Sequence, residues 1–239
     1  MNKVLITGDI HATIDIAKLT DFRRKFKNDF DKNDILIIAG DFGFIWTDQP
    51  CGEEKYWLNW LDEFAPWTTV FIDGNHENHP RLNSYPETTF CGARAHQISE
   101  TVYHIIRGEV LELNDMKILC MGGADSHDKY WRVGNIDWWA DERISDKDVE
   151  NALQNLSRFD NKVDYVVSHS FPSSILLRFF PYMKETPSSD QLDIILGNVE
   201  FAKSWISGHY HEDMGRSERE GFFRVIYDDI IMLWGGEEQ

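Results

Sequence analysis

The side chains best suited to chemistry in this chain are carboxylates, imidazoles and one amide that follow short apolar runs. Gly8-Asp9-Ile10-His11 follows the first run, Gly40-Asp41 the second and Gly74-Asn75-His76-Glu77 the third. His169 and Gly208-His209-Tyr210-His211 follow two later runs. Carboxylate, amide and imidazole groups are the usual ligands of hard and borderline divalent cations. The pattern therefore indicates metal-ion chemistry.

Each of these motifs alone is weak evidence for a site. A single Asp after a strand is more often a helix cap or turn residue, and a lone histidine such as His169 is more often hydrogen-bonded in the core or on the surface. The joint pattern is stronger, because nine histidines occur and five of them follow these runs. His209 and His211 could also reach one site, since residues two apart on an extended segment face the same side. The candidate site residues are Asp9, His11, Asp41, Asn75, His76, His169, His209 and His211.

The runs that precede the candidate residues are typical of buried strands. They cover residues 3–6, 34–39, 68–72, 163–167 and 204–206, are rich in Ile and Val, and end near Gly or Ser. Helical spacing of apolar residues lies between them, over residues 12–30 and 54–64. Ligands in open α/β folds bind beyond the carboxyl ends of the strands, which is where the candidate residues lie.

The alternation of strands and helices predicts an α/β layered fold. Residues 103–121 depart from the alternation, because they resemble two strands around Gly108 and Asn114-Asp115, and residues 221–233 also resemble strands. Ser145 to Asp148 resembles a capping box at the start of a helix. We therefore expect two mixed β-sheets packed as a sandwich and flanked by helices, with residues 1–239 in a single domain.

Composition narrows the classes of function. The formal net charge of -17 argues against broad binding to duplex DNA, which needs a large basic face. No apolar run is long enough to cross a bilayer, and residues 1–9 do not resemble a signal peptide. The three widely spaced cysteines do not suggest a disulfide framework. These features predict a cytoplasmic protein without a membrane partner.

Taken in order, the motifs resemble those of the calcineurin-like metallophosphoesterase superfamily. They span residues 8–211, and their combination is specific to that superfamily but not to one substrate. The resemblance implies two divalent metal ions as cofactors, with Mn²⁺ expected first and Fe or Zn as alternatives. It implies that Asp9, His11 and His211 bind one ion, that Asn75, His169 and His209 bind the other, and that Asp41 bridges both.

The resemblance also implies hydrolysis of a phosphomonoester or phosphodiester. Two cations about 3.5–4 Å apart can share a water, lower its pKa and provide a bridging hydroxide that attacks phosphorus. Asp41 would belong to the catalytic set as the bridging ligand. His76 is expected to lie near the phosphate without binding metal, and to donate a proton to the leaving group or hydrogen-bond a phosphate oxygen.

Two departures from the family pattern bear on phosphate binding. Ala12 stands where the family usually has Gly, which is a mild change. Phe44 and Ile45 stand where an Asp and an Arg often follow the Gly-Asp motif. The protein serine/threonine phosphatases use that pair to orient the histidine and to grip phosphate, so this branch is not expected.

Another cation is expected to replace the missing Arg. Residues 122–132 resemble a segment of a bacterial and phage-type subgroup of these phosphoesterases, and Arg132, Lys129 or His127 could bind the substrate. The alternative is that these charges belong to a solvated loop and that the neighbouring tryptophans are core.

The sequence therefore predicts a dinuclear metal-dependent phosphoesterase that acts on a small phosphorylated substrate. A nuclease or cyclic-nucleotide phosphodiesterase is one alternative, although the acidic charge weighs modestly against long nucleic acids. A non-catalytic metal-binding scaffold is the other. Retention of every candidate ligand and of His76 argues against the scaffold.

Overall fold

The computed structural model describes residues 2–234, which form two β-sheets between layers of helices. The strands are β1 (Val4–Thr7), β2 (Ile35–Ile38), β3 (Thr68–Phe71), β4 (Glu87–Phe90), β5 (Ala93–Gln97), β6 (Val102–Ile105), β7 (Glu109–Leu113), β8 (Met116–Met121), β9 (Lys162–Ser168), β10 (Glu200–Ser207), β11 (Met214–Glu218), β12 (Gly221–Val225) and β13 (Ile230–Trp234). The α-helices are α1 (Ala17–Phe26), α2 (Gly52–Glu63), α3 (His79–Leu82), α4 (Asp146–Ser157), α5 (Ser173–Phe179) and α6 (Pro187–Leu196). Short 3-10 turns cover Lys129–Trp131 and Ala140–Glu142.

Both sheets are mixed, as the sequence predicts. The first has the order β13-β1-β2-β3-β6-β5-β4, in which β1, β2, β3 and β6 run parallel. The second has the order β11-β12-β10-β9-β8-β7, in which β8, β9, β10 and β12 run parallel. Antiparallel strands complete the edges of both sheets.

The core has three apolar layers, because the central strands are buried on both faces. Successive side chains of a strand point to opposite faces. Ile37 of β2 accordingly meets Val167 of β9 in the layer between the sheets. Leu36 faces the helices α1 and α2 on one outer side, and Val166 faces α4, α5 and α6 on the other. The predicted sandwich of two sheets flanked by helices is confirmed.

The predicted helix over residues 12–30 is shorter than expected. α1 begins only at Ala17, because the preceding residues form a turn whose backbone is bound to the loop after β2. The backbone N–H groups of Ile10 and His11 both donate to the carbonyl oxygen of Asp41. The capping box at Ser145 is confirmed, with Asp148 as its reciprocal partner at the start of α4.

The structure also contains more strands than the sequence predicts. Residues 103–121 contribute three strands, of which β6 joins the first sheet while β7 and β8 form a hairpin in the second. The edge strands β4 and β11 were not predicted, because their side chains are largely exposed and carry no apolar run. Within residues 2–234, no helix has the length and apolar character needed to span a membrane. The single domain over 1–239 stays a prediction.

Candidate metal centre

The carboxyl ends of strands from both sheets meet at one place. Asp9, Asp41 and Asn75 lie just beyond β1, β2 and β3, whose last residues are in register. His169 and His209 lie beyond β9 and β10, where Ser168 pairs with Ser207. Because the parallel strands of each sheet are in register, their carboxyl ends lie side by side. The packing of the two sheets then brings the two sets of loops together.

The predicted ligands form two groups that share a carboxylate between them. Asp9, His11 and His211 each offer a ligand atom within 4.8 Å of the others, and Asp41, His169 and His209 do the same. Asp41 connects the groups, since its Oδ2 lies 3.2 Å from His11 Nε2 and its Oδ1 lies 3.3 Å from His169 Nε2. Both groups have the donor types and spacing needed to hold a divalent cation.

Two buried ligand atoms lack a protein partner among residues 2–234. They are Asn75 Oδ1 and His169 Nε2. The other ring nitrogen of His169 donates to the carbonyl oxygen of Ala39 at 2.8 Å, so the neutral form of the ring carries its lone pair on Nε2. An unpaired buried polar atom is costly, so native proteins rarely keep one without a function. Divalent cations would supply the missing partners, and the residues present therefore fit the two metal ions that the resemblance implies.

Negative charge dominates the electrostatics of the centre. Burial lowers the pKa of His169, but the negative charge of the nearby Asp41 outweighs burial and raises it to about 10. The same balance raises the pKa of His11 to about 9. His209 differs, because burial and the neighbouring His169 hold its pKa well below the usual range. The buried carboxylates thus attract positive charge, which divalent cations would also provide.

The backbone around the centre is unusually tight. A Cβ on Gly74 would lie 2.1 Å from Asp41 Oδ1, and a Cβ on Gly208 would lie 2.3 Å from Asp9 Oδ1, so only glycine fits at either position. In addition, several non-glycine residues of the centre adopt the left-handed backbone conformation, which typically costs about 1–3 kcal/mol at each residue. They are His11 (φ 44), Ala12 (φ 52), Asp41 (φ 49), His209 (φ 71) and His211 (φ 52). This conformation also explains why a glycine suits the position of Ala12.

His76 lies beside the first group, with Arg132 against it. The backbone N–H of His76 donates to Asp41 Oδ1 at 2.8 Å, and its ring stacks on Trp46 with centres 5.8 Å apart. His11, Asp41 and His76 also offer ligand atoms within 4.8 Å of one another. Arg132 Nη2 donates to His76 Nε2 at 3.2 Å. Burial lowers the pKa of His76; Asp41 opposes this shift and Arg132 adds to it.

The other two predicted substrate ligands differ in position. The ring of His127 lies 5.4 Å from that of His209, which places it beside the second group. The ammonium of Lys129 lies 5.7 Å from the centre of the Tyr130 ring, and no described contact in residues 2–234 links it to the histidines. The structure therefore brings Arg132 and His127 to the centre and leaves Lys129 beside Tyr130.

Sequence reasoning missed Asp15, which orients His11. His11 Nδ1 donates to Asp15 Oδ2 at 2.7 Å, and the hydroxyl of Tyr227 donates to Asp15 Oδ1 at 3.0 Å. A carboxylate on one ring nitrogen fixes the tautomer and leaves the other nitrogen free to bind a metal. The signal available in the sequence was an acidic residue four positions after a candidate ligand.

Glu77 closes the motif Gly74-Asn75-His76-Glu77, and the sequence alone indicates no role for it. Its buried carboxyl accepts hydrogen bonds from the backbone N–H groups of Gly74 at 2.7 Å and Gly43 at 3.2 Å. Burial, reinforced by the charges of Asp41 and Asp73, raises the pKa of Glu77 to about 8. Glu77 thus joins the loops that follow β2 and β3, which carry Asp41 and Asn75.

Asp73 supports the same turn from behind and was not singled out by its sequence context. It accepts hydrogen bonds from Arg107 Nε at 2.8 Å and His104 Nε2 at 3.1 Å. Burial raises its pKa, but the charge of Arg107 outweighs burial and holds the pKa well below the usual range. The carbonyl oxygen of Asp73 accepts from the N–H of Gly123, so the turn is also bound to the second sheet.

Comparison with known proteins agrees with the geometry. The model of the calcineurin-like phosphoesterase family matches residues 2–213. A lariat debranching enzyme from Arabidopsis thaliana is 22% identical over 238 residues, which cover 87% of this chain and 54% of that protein. The chain thus spans about half the length of this curated relative.

Two solved structures superpose on the chain to different extents. One superposes with a TM-score of 0.53 at 12% identity, covering 93% of this chain and 89% of that chain. The other, a putative 5'-nucleotidase from Staphylococcus aureus in complex with alpha-ketoglutarate, superposes with a TM-score of 0.49 at 11% identity, covering 98% and 51%. At such low identity the first likeness concerns the fold alone, and we draw nothing from the second.

Replacing Asp15 with Asn should weaken cation binding. The Asp15→Asn variant keeps the size of the side chain but removes the charge that orients His11, so we expect affinity for Mn²⁺ to fall by about 10–100-fold. Asp21→Asn is the matched control, because Asp21 is an exposed residue of α1 that pairs with Arg24 at the surface. Calorimetric titration of metal-stripped protein gives both affinities. Equal affinities would show that Asp15 does not act on a bound metal through His11.

Proposed function

Because the chain belongs to the calcineurin-like phosphoesterase family, we propose that it hydrolyses phosphoric esters with the help of two divalent cations. One observation carries the proposal. Asp41 lies between His11 and His169, next to buried ligand atoms of Asn75 and His169 that have no hydrogen-bond partner among residues 2–234.

The proposed ligand sets follow the two groups of side chains. Asp9, His11 and His211 would hold one cation, Asn75, His169 and His209 the other, and Asp41 both. When bound, the cations would neutralise the charge of the phosphate and acidify a water molecule for attack on phosphorus. The mixture of oxygen and imidazole donors suits Mn²⁺, with Fe and Zn as alternatives.

Arg132 is the proposed phosphate ligand. Its guanidinium lies 3.2 Å from His76, and Asp128 holds it from the other side at 2.8 Å. A guanidinium matches the geometry of phosphate oxygens and stays charged at all relevant pH values. Phe44 and Ile45 are buried in the apolar core and offer no charge of their own. His127 is a second candidate, whereas Lys129 would need its loop to move.

His76 is proposed to donate the proton that the leaving oxygen needs. In the free protein its Nε2 accepts a hydrogen bond from Arg132, and burial lowers its pKa. A bound phosphate would offer Arg132 a stronger acceptor, and its negative charge would favour the protonated imidazole. Nε2 could then hold a proton and deliver it to the departing alkoxide.

Two other functions are alternatives to this proposal. The relative from Arabidopsis thaliana is named for debranching lariats, which favours a nuclease or other phosphodiesterase as the second candidate. The net charge of -17 weighs against a long nucleic acid, so a small phosphorylated substrate remains our proposal. A non-catalytic metal-binding scaffold is the third candidate.

Hydrolysis of paired chromogenic reporters tests the proposed function. Metal-stripped protein is supplied with Mn²⁺ and given para-nitrophenyl phosphate or bis(para-nitrophenyl) phosphate. We expect hydrolysis only after Mn²⁺ is added, and a loss of at least about a hundredfold in kcat for Asp41→Asn but not for Asp21→Asn. Preference for the diester would favour the second candidate. Two bound cations without hydrolysis of either reporter would contradict the proposal and favour the scaffold.

The His76→Gln variant tests proton donation separately. A poor leaving group such as an alkyl alkoxide needs a proton, whereas para-nitrophenolate leaves readily without one. We therefore expect kcat for an alkyl phosphate to fall about a hundredfold or more, with a much smaller fall for para-nitrophenyl phosphate. Metal analysis verifies that both cations are retained. Equal losses for the two substrates would assign His76 to phosphate binding instead.

A further inference from the structure

A groove of about 320 Å³ opens from the metal centre on the side of His11 and His76. This volume lies in the range of sites for small organic molecules. Its walls are mainly apolar and include Ile14, Phe44 and Trp46. Ile14 is 78% exposed, so a large apolar side chain remains in contact with solvent beside the predicted catalytic residues.

Away from His11 and His76, the charged side chains that line the groove are carboxylates. Its lining residues include Glu53 and Glu54 but no Lys or Arg. Glu54 is buried and neutralised by Arg81, whose Nη1 donates to Glu54 Oε2 at 2.8 Å. Glu53 is exposed and has no such pairing in the described contacts. Both glutamates lie in the first turn of α2, so they already meet the partial positive charge of that helix end.

We propose that this groove binds the leaving group and selects esters of uncharged apolar or aromatic alcohols. The proposal rests on the proposed function of the metal centre. His76 lines the groove, and a leaving oxygen that takes its proton must lie next to its ring. The remainder of the leaving group would then enter the groove, because Arg132 lies 3.2 Å from His76 Nε2 and the ring of His11 lies 5.1 Å from that of His76.

The chemistry of the walls sets the preference. An aromatic ring or alkyl group would bury apolar surface against Ile14 and Trp46, which is favourable. A second phosphate on the leaving group would meet the carboxylate of Glu53, and no Lys or Arg is among the described residues that line the groove. The groove therefore favours a monophosphate over a bisphosphate of the same alcohol.

Two substrates with the same leaving oxygen provide the test. They are the monophosphate and the bisphosphate of para-benzenedimethanol, assayed with the full chain loaded with Mn²⁺. After correction for its two equivalent phosphates, the bisphosphate should show a kcat/KM lower by about tenfold or more. Glu53→Lys should reduce the ratio of the two kcat/KM values, monophosphate over bisphosphate, by about tenfold. The variant replaces a repulsive charge with an attractive one.

A second variant tests the apolar wall. Ile14→Asp should raise KM for the monophosphate by about three- to tenfold, because it places a carboxylate where the ring would pack. Its exposure means that the change does not disturb the core. Ile194→Asp is the matched control, since Ile194 is an exposed residue of α6 on the opposite helical layer, and its KM should equal that of the unchanged chain.

The outcomes separate the two levels of the proposal. Equal kcat/KM for both substrates, unaffected by Glu53→Lys and Ile14→Asp, would overturn the assignment of the groove and leave phosphoester hydrolysis standing. No hydrolysis of these substrates or of the nitrophenyl reporters, with two cations bound, would overturn the proposed function and the groove assignment together.

Discussion

The buried carboxylate of Asp41 is the group on which the rest of the site depends. It is 1% exposed and contacts His11 through one oxygen and His169 through the other. Burying a carboxylate is expensive unless positive charge or hydrogen-bond donors compensate it. His11 comes from the loop after β1, whereas His169 comes from the loop after β9 in the other sheet. The compensation is therefore complete only when the two sheets pack together.

The loops that carry these groups are held rigidly by polar contacts beneath them. Glu77 joins the turns that follow β2 and β3, and Asp73 binds the second of these turns to Arg107 and to the second sheet. This support is needed because Asp41 and several histidines adopt left-handed backbone conformations. Strained residues persist only where the surrounding structure over-determines them, and they concentrate at functional sites. The position of the strain agrees with the position of the candidate ligands.

The sequence was sufficient to predict the central strands and the residues at their ends. These strands are buried on both faces, so they form continuous apolar runs, and the residues after them are ordered by parallel pairing. The edge strands β4 and β11 escaped prediction because they are exposed and polar. Asp15 and Glu77 escaped for another reason. An acidic residue near a motif becomes significant only when the fold shows what it contacts.

For Arg132, the sequence predicted the segment that carries the cation but not which of its side chains contacts His76. Phe44 and Ile45 carry no charge, so we expected another cationic side chain to bind the phosphate. The segment that contains Arg132 has three candidates. The spacing of residues along a loop does not determine which side chain points inward, so His127 and Lys129 were equally plausible. The structure places the guanidinium of Arg132 against His76 and leaves the ammonium of Lys129 beside Tyr130.

Locating the bound cations is the most direct test of the proposed metal centre. Crystals of the protein grown with Mn²⁺ and measured at the manganese absorption edge would reveal each bound ion by its anomalous scattering. We expect two peaks about 3.5–4 Å apart, with the carboxylate of Asp41 between them and Asn75 Oδ1 and His169 Nε2 bound to the same ion. A single peak, or two peaks that do not share Asp41, would contradict the proposed metal centre.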